Sequence, residues 1–279
     1  MSSSLRDAAR TSAEASVPTQ RIVPRASRAA LSSLLAPSVL FPAGMLLVFI
    51  VAWELFARTT DPVLFPRPLR VLGAYDDLIR SGDLPRAFLT TMQTLTIGFL
   101  LSAVVGIVGG IVIGRIPLVG AVLDPYIEAI YATPRVVITP LVVLWFGVGD
   151  VGRLFLVFIG TFIPILINTA IGVRNARPDL VEVGRAFGAS GHQLVRHVIL
   201  PGSVPYVIAG LRIGIGRALI GVVIAEIFLD LTGLGGLIQT DVSYFRVDRM
   251  IAVVLVLALI GTVLMAVMGK LEARFSTWR

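Results

Sequence analysis

Long runs without a charged residue recur along the chain and are its most prominent pattern. Four of them are close to the ~20 residues that cross ~30 Å of hydrocarbon as a helix. These runs are Ala29–Trp53, which is densest in apolar residues over Val39–Trp53, Ala87–Ile113, Leu154–Val173 and Met250–Gly269. We therefore predict a transmembrane helix in each of the four.

Two further segments are apolar but interrupted by charges. They are Val119–Phe146, with Asp124, Glu128 and Arg135, and Val204–Leu229, with Arg212, Arg217 and Glu226. Leaving either segment outside the membrane would expose a very apolar loop to water, so both count as spans. Pro134 and Pro140 predict a kink in the first of them, because proline removes a helical hydrogen bond. The predicted fold class is all-α: a polytopic membrane protein with six transmembrane helices.

The spans divide the chain into five predicted regions. The larger share of Lys and Arg falls on segments that face the cytoplasm if both termini are inside, and this sets the orientation. The Ser-, Ala- and Arg-rich start lacks apolar periodicity and is predicted to be disordered. The regions are a cytoplasmic tail at 1–35, the first transmembrane helix at 36–58, a periplasmic or extracellular segment at 59–86, a core of five spans at 87–270 with a cytoplasmic loop at 174–203, and a second cytoplasmic tail at 271–279.

Glycines at four-residue spacing predict where helices pack tightly. Such spacing lets two helix backbones approach closely in lipid, although glycine is also common in membrane helices without that role. The repeats are Gly106, Gly110 and Gly114 in the second span, and Gly210 and Gly214, with Gly221 beyond, in the fifth.

The composition of the chain excludes several kinds of catalytic and binding site. The 279 residues are 56% hydrophobic and 15% charged, too few charges to cover a soluble domain. No cysteine is present and the two histidines lie in one loop, so thiol catalysis, multi-histidine metal sites and a Ser–His pair within the spans are excluded. The only lysine is Lys270, so no phosphate-binding loop of the GxxxxGK[ST] type exists. We attribute the net charge of +7 to basic residues in cytoplasmic loops and not to a nucleic-acid binding surface.

The loop at 174–203 carries the pattern of two short amphipathic helices. Pro178 opens the first, whose apolar positions are Leu180, Val183 and Phe187, and Gly188 ends it. Ser190 is a candidate N-cap for the second, and Leu200-Pro201 is expected to end it. The exposed apolar faces indicate a protein partner, with helices lying on lipid headgroups as the alternative.

This loop resembles the signature of permease subunits of binding-protein-dependent ABC importers. The signature is Glu-Ala-Ala, three residues, Gly, nine residues, Ile, one residue and Leu-Pro. Here Glu182, Gly188, Val198 and Leu200-Pro201 keep every spacing, while Val183-Gly184 replaces the Ala pair and valine replaces isoleucine. The resemblance covers about 62–270 and is greatest to nitrate, sulfonate and taurine permeases. It includes Leu64–Pro68, Trp145–Gly149, Pro164–Val173, and Ala225-Glu226 followed by Gly233-Leu234-Gly235.

The resemblance implies the partners and the place of this chain. The loop would dock into a cleft on a separate ATPase subunit, which holds ATP and Mg, so this chain itself would carry no cofactor and no ATPase activity. Two permease copies would form the path, and a periplasmic or lipid-anchored substrate-binding protein would dock outside, at the cell membrane. The residues implied in coupling are Glu182, Gly188, Ala189, Ser190, Leu200 and Pro201.

Two charged residues within spans are candidates for the translocation path. Ionisable groups at membrane depth are costly and are usually paired or line a wet cavity. Arg135 lies in the kinked span, where similar permeases often carry a basic residue, and Glu128 is its alternative partner. Glu226 is either a path residue or a structural one near Asp230. Arg212 and Arg217 are expected to snorkel to the cytoplasmic interface.

Two other function classes stay open beside the importer. A self-contained secondary carrier would also span the membrane several times, although such carriers usually show internal repeats, and none is visible here. A scaffold or assembly protein without transport is the third class. The predicted importer solute is a small anion such as a sulfonate, taurine or nitrate, because Arg135 lies within a span and the resemblance points the same way.

Overall fold

The structure is a computed structural model that describes residues 37–176 and 178–275, except for the side chains of 37–40 and 135. The predicted tail at 1–35 and the last four residues of the tail at 271–279 lie outside the described residues. All elements in the described part are helical. They are α1 Pro37–Thr59, α2 Pro68–Arg80, α3 Asp83–Arg115, α4 Pro117–Ala132, α5 Arg135–Phe146, α6 Asp150–Arg174, α7 Pro178–Ala186, α8 Gly191–Asp230, α9 Gly233–Ser243 and α10 Val247–Phe275.

The chain divides into two units after Ala52. The first contains the start of α1, where every described side chain from Phe41 to Ala52 is exposed and most are large and apolar. A helix that is apolar on all sides suits a hydrocarbon environment. Helix α1 overlaps the predicted first span at 36–58 and is displaced from it by one residue at each end.

In the second unit, helices α3 and α6 pack closely and in parallel. The glycines of α3 are the contact points, as predicted for Gly106, Gly110 and Gly114. A methyl group added at Gly110 would lie 2.6 Å from the Leu166 carbonyl oxygen, so only glycine allows this approach. The contacts advance in the same direction along both helices: Gly98 with Val157, Gly106 with Ile165, Gly110 with Thr169 and Gly114 with Val173.

Parallel packing of α3 and α6 requires the chain between them to cross back. We call the end where α3 and α6 finish the loop end, and the opposite end the far end. Helix α4 starts at the loop end, where Asp124 pairs with Arg174 at 3.0 Å. Helix α5 finishes at the far end, where Val142 packs with Leu229. The two helices are bent by 103°, so the predicted kink divides the third span into two helices.

Helices α8 and α10 complete the bundle in alternating directions. Gly210 and Gly214 of α8 lie against Ile165 of α6 and confirm the second predicted packing face. The order of contacts shows that α10 runs antiparallel to α8: Arg212 with Glu272, Gly216 with Met265, and Leu219 with Gly261. Five helices of the described part are long and apolar enough to cross a membrane, and the count reaches the predicted six if the bent pair α4–α5 is one span.

The predicted external segment at 59–86 contains a helix that the hydropathy pattern did not reveal. Helix α2 buries Val71, Ala74 and Leu78 in a cluster with residues of α10, including Val253. The Trp53 indole N–H donates to the Pro66 carbonyl oxygen at 3.0 Å and fixes the connection from α1.

We expect Gly110→Ala to destabilise the bundle, because the Leu166 carbonyl is backbone and cannot rotate away from the added methyl. Overpacking of this kind costs about 1–3 kcal/mol. Thermal unfolding of the purified protein in detergent measures the effect. Gly269→Ala, where an added methyl meets nothing within 4 Å, is the matched control. Equal melting temperatures for both variants would contradict the described packing of α3 on α6.

Candidate functional site

Helix α7 presents an exposed apolar face at the loop end. Pro178 opens the helix as predicted, and Val181 on one side packs against Val173, Ala176 and Ile199. On the other side Leu180, Val183 and Phe187 are exposed, Phe187 by 88%. No residue of this helix is fully buried. The exposed side is the apolar face that the sequence predicted, and it is available to a partner.

A tight turn at Gly188 connects α7 to α8. The N–H of Gly188 donates to the carbonyl of Arg185 at 2.9 Å, and the N–H of Ala189 donates to the carbonyl of Gly184 at 2.9 Å. This is the Schellman pattern, which needs a left-handed residue, and Gly188 has a φ of +76°. The break predicted at Gly188 is therefore confirmed, and its geometry favours glycine over any residue with a side chain.

The start of α8 is held by a capping box at Ser190. The Gln193 N–H donates to the Ser190 hydroxyl at 3.3 Å, and the Ser190 N–H donates to the Gln193 side-chain oxygen at 2.8 Å. The predicted N-cap is thus confirmed, with a second hydrogen bond that closes the box.

Helix packing explains why position 184 is a glycine. A methyl group there would lie 2.5 Å from Leu194 Cδ2, and Leu194 is buried. The glycine therefore lets α8 approach α7 where the signature has alanine. The side of α7 that carries Gly184 thus faces α8, and the large apolar side chains on the other side stay exposed.

The expectation that Leu200-Pro201 ends the second short helix is wrong. Helix α8 continues through both residues for 40 residues, from Gly191 to Asp230. A π-helical turn at Val195–Ile199 precedes the proline, and the Leu200 N–H donates to the Val195 carbonyl. A wider turn is a known way to insert proline without breaking a helix. The loop and the fifth span therefore share one continuous helix.

Glu226 is fully buried and holds the start of α9. The Thr91 hydroxyl donates to Glu226 Oε1 at 2.7 Å, and the Gly235 N–H donates to Oε2 at 2.9 Å. Thr91 also accepts from the Leu234 N–H at 2.9 Å. A carboxylate at the first N–H groups of a helix is favourable. Thr91 on α3, Glu226 on α8 and the start of α9 therefore form one hydrogen-bonded cluster.

Further charged groups join helices at the far end, and the sequence analysis singled out only Asp230 among them. Arg153 of α6 is buried and contacts Asp150, Thr232 and Asp230, the last at 3.3 Å. These contacts connect the start of α6 to the end of α8.

A second ionic cluster at the far end centres on Asp241 of α9. Its carboxylate is buried beside Arg249 of α10 and Arg246, and Arg249 also pairs with Asp83 at 2.8 Å. Burial raises the pKa of the Asp241 carboxyl, and the two arginines oppose that shift. Among the described residues no group of three His, Cys, Asp or Glu could hold a metal ion.

The end of α4, next to its break with α5, contacts a basic residue of α8. Arg135 is the first residue of α5, and the predicted pairing of its side chain with Glu128 lies outside the described part. The Arg217 guanidinium of α8 lies over the Tyr131 ring, 5.7 Å from the centroid. Arg212 of the same helix pairs with Glu272 of α10 towards the loop end, as an interfacial residue would.

Residues 102–277 match the family model described as "Binding-protein-dependent transport system inner membrane component". A putative ABC transporter permease protein of Methanocaldococcus jannaschii is 35% identical over 82% of this chain and 88% of the relative. A putative aliphatic sulfonates transport permease protein of Bacillus subtilis is 30% identical over 85% and 87% of the two chains. A riboflavin transport system permease protein of Chloroflexus aurantiacus is 30% identical over 94% and 97%.

The fold is also similar to that of a solved transporter. The inward-facing MetNI methionine ABC transporter contains a chain that aligns with a TM-score of 0.59 and 16% identity, covering 69% of this chain and 95% of that one. The arrangement of helices described above is therefore one that occurs in the membrane subunit of an ABC transporter.

We expect Glu226→Ala to destabilise the protein, because it leaves the Gly235 N–H and the Thr91 hydroxyl without their buried acceptor. Each such loss costs about 1–3 kcal/mol. Glu128→Ala, which removes an exposed carboxylate from α4, is the control. Thermal unfolding in detergent measures stability, and uptake assays on the same variants measure transport. A Glu226→Ala variant of native stability that does not transport would favour the path role over the structural one.

Proposed function

Because this chain belongs to the family of binding-protein-dependent transport system inner membrane components, we propose that it forms the path for a small anionic solute in an ATP-driven importer. The observation that carries the proposal is the exposed apolar face of α7, which a tight turn joins to the helix of the fifth span. A surface of this kind suits a protein partner that moves the spans.

The partners follow from the family. An ABC ATPase subunit docks on the contact loop, which we define as residues 178–201, and supplies ATP and Mg. A substrate-binding protein delivers the solute at the far end. A second copy of this chain completes the path. Glu182, Gly188, Ala189, Ser190, Leu200 and Pro201 are the proposed coupling residues. Gly188 and Ser190 act by fixing the turn, and Leu200 and Pro201 by continuing the helix into the membrane.

The proposed mechanism transmits motion through α8. When the ATPase subunits close on ATP, the contact loop moves with them. Since α8 is one helix from the loop to the far end, its movement tilts the span and changes the end at which the path is open. The ATPase subunits supply the energy, and the spans of this chain alternate between two arrangements. A self-contained secondary carrier needs no such contact loop.

The proposed solute is an anion such as a sulfonate, taurine or nitrate. A relative named for aliphatic sulfonates supports it, and Arg135 at the break in the third span is a candidate path residue, as is Glu226. The relative named for riboflavin makes a neutral aromatic solute the competing class. Uptake of both solute types by the complete importer separates the two classes.

We expect Gly188→Val to uncouple the permease from its ATPase. A β-branched residue at φ +76° is strained by about 1–2 kcal/mol, so the turn and the face of α7 are displaced. Gly202→Val is a matched control, because neither glycine has an atom within 4 Å of an added Cβ but Gly202 is helical. Co-purification of the ATPase subunit and ATP-dependent uptake are measured. Normal values for Gly188→Val would contradict the assignment of the contact loop.

The orientation predicts where cysteines can be labelled. With the loop end in the cytoplasm, Ser81→Cys and Ser243→Cys should react with an impermeant thiol reagent in intact cells. His192→Cys should react only after permeabilisation. All three positions are exposed, and the chain has no cysteine of its own to give background. The reverse labelling pattern would overturn the orientation.

A further inference from the structure

A groove at the loop end lies where two spans finish. Gly114 near the end of α3 lies against Val173 near the end of α6. The next residues are Arg115 and Arg174, so the uncharged runs of both spans stop at the same level. The ends of these spans and the start of α7 enclose an open groove of about 400 Å³. Because the hydrocarbon ends where such uncharged runs end, the groove is at the height of the lipid headgroups.

Helix α7 turns its charged side to this groove, which Glu182 and Arg185 line. At about 3.6 residues per turn, these two side chains lie about 140–160° around the helix from Leu180 and Phe187. A helix that lies on lipid headgroups has the opposite orientation, with its apolar side towards the hydrocarbon. The apolar face of α7 is thus left for a protein partner, and its charged side borders the groove.

Three charged groups of the groove have no partner in the part of the chain that the structure describes. Arg174 also lines the groove but is paired with Asp124 at 3.0 Å. The side chains of Arg115, Glu182 and Arg185 are exposed and form no hydrogen bond or ion pair with a described residue. The groove therefore offers two guanidinium groups and one carboxylate to a ligand.

We propose that this groove binds the headgroup of a phosphatidylethanolamine lipid. The headgroup carries a phosphate and a primary ammonium joined by an ethylene group, which matches two arginines and one carboxylate in charge. The guanidinium groups of Arg115 and Arg185 bind the phosphate oxygens, and Glu182 accepts from the ammonium. Basic pockets between spans are known to bind lipid headgroups on the cytoplasmic side of other membrane proteins. A headgroup bound here supports α7 from the side opposite its apolar face.

Two other common headgroups separate the parts of this match. Phosphatidylcholine has the phosphate, but its quaternary ammonium has no N–H to donate to Glu182. Phosphatidylglycerol has the phosphate and no cation. The charges that line the groove therefore predict a preference for phosphatidylethanolamine over both.

Native mass spectrometry of the full chain, released from nanodiscs that contain the three lipids in equal parts, measures which lipid stays bound. The native chain should retain phosphatidylethanolamine severalfold over the other two. Arg115→Gln and Arg185→Gln should each lower its retention severalfold, because the phosphate loses a charged donor. Glu182→Gln should remove the preference over phosphatidylglycerol and leave the retention of phosphatidylglycerol unchanged.

Arg196→Gln is the matched control, because Arg196 is exposed at the same end of the bundle and does not line the groove. Its lipid retention should equal that of the native chain. Thermal unfolding in detergent checks that each variant is folded, as expected for exposed side chains. Retention of phosphatidylethanolamine that survives Arg115→Gln combined with Arg185→Gln would overturn the proposal, as would a native chain without the preference. No transport is measured, so the result does not depend on the proposed function.

Discussion

The close parallel approach of α3 and α6 determines how the rest of the described bundle is connected. Glycines on α3 bring its backbone so near to α6 that the Leu166 carbonyl faces Gly110 without an intervening side chain. In lipid, helices gain little from burying apolar surface, so packing of this closeness is a main source of association. Parallel neighbours need a returning segment between them, and α4 and α5 provide it as two helices bent by 103°. The break between the two helices is thus part of that return.

Helix α8 connects the three regions that matter for function. It begins at the Ser190 capping box, carries Arg217 against Tyr131 of α4, and ends at Glu226 and Asp230. Its 40 residues correspond to about 60 Å of helix, longer than the hydrocarbon is thick. The π-helical turn before Pro201 keeps it continuous where proline would otherwise break it. A displacement at the loop end is therefore carried along the helix without a flexible joint.

Much of this arrangement follows from local patterns, and the rest depends on contacts that local patterns do not contain. The uncharged runs predict the spans, and the turn at Gly188 and the cap at Ser190 follow from backbone chemistry that neighbouring residues determine. The hydropathy pattern does not predict α2, because this helix is amphipathic and packs on α10. The continuation through Pro201 was missed because proline predicts a stop unless a wider turn precedes it. The contact of Arg217 with Tyr131 depends on the register of α8 against its neighbours, and span boundaries alone do not give a register.

Removing a charged side chain from water costs free energy, and the charged residues of the bundle offset this cost in different ways. Glu226 lies in the protein interior, and hydrogen bonds from Thr91 and Gly235 replace water. Arg153 is buried among Asp150, Asp230 and Thr232, so neighbouring charges compensate it. The Arg217 guanidinium lies over the Tyr131 ring, 5.7 Å from its centroid, next to the end of α4. Interior groups with satisfied partners stabilise one arrangement of the helices.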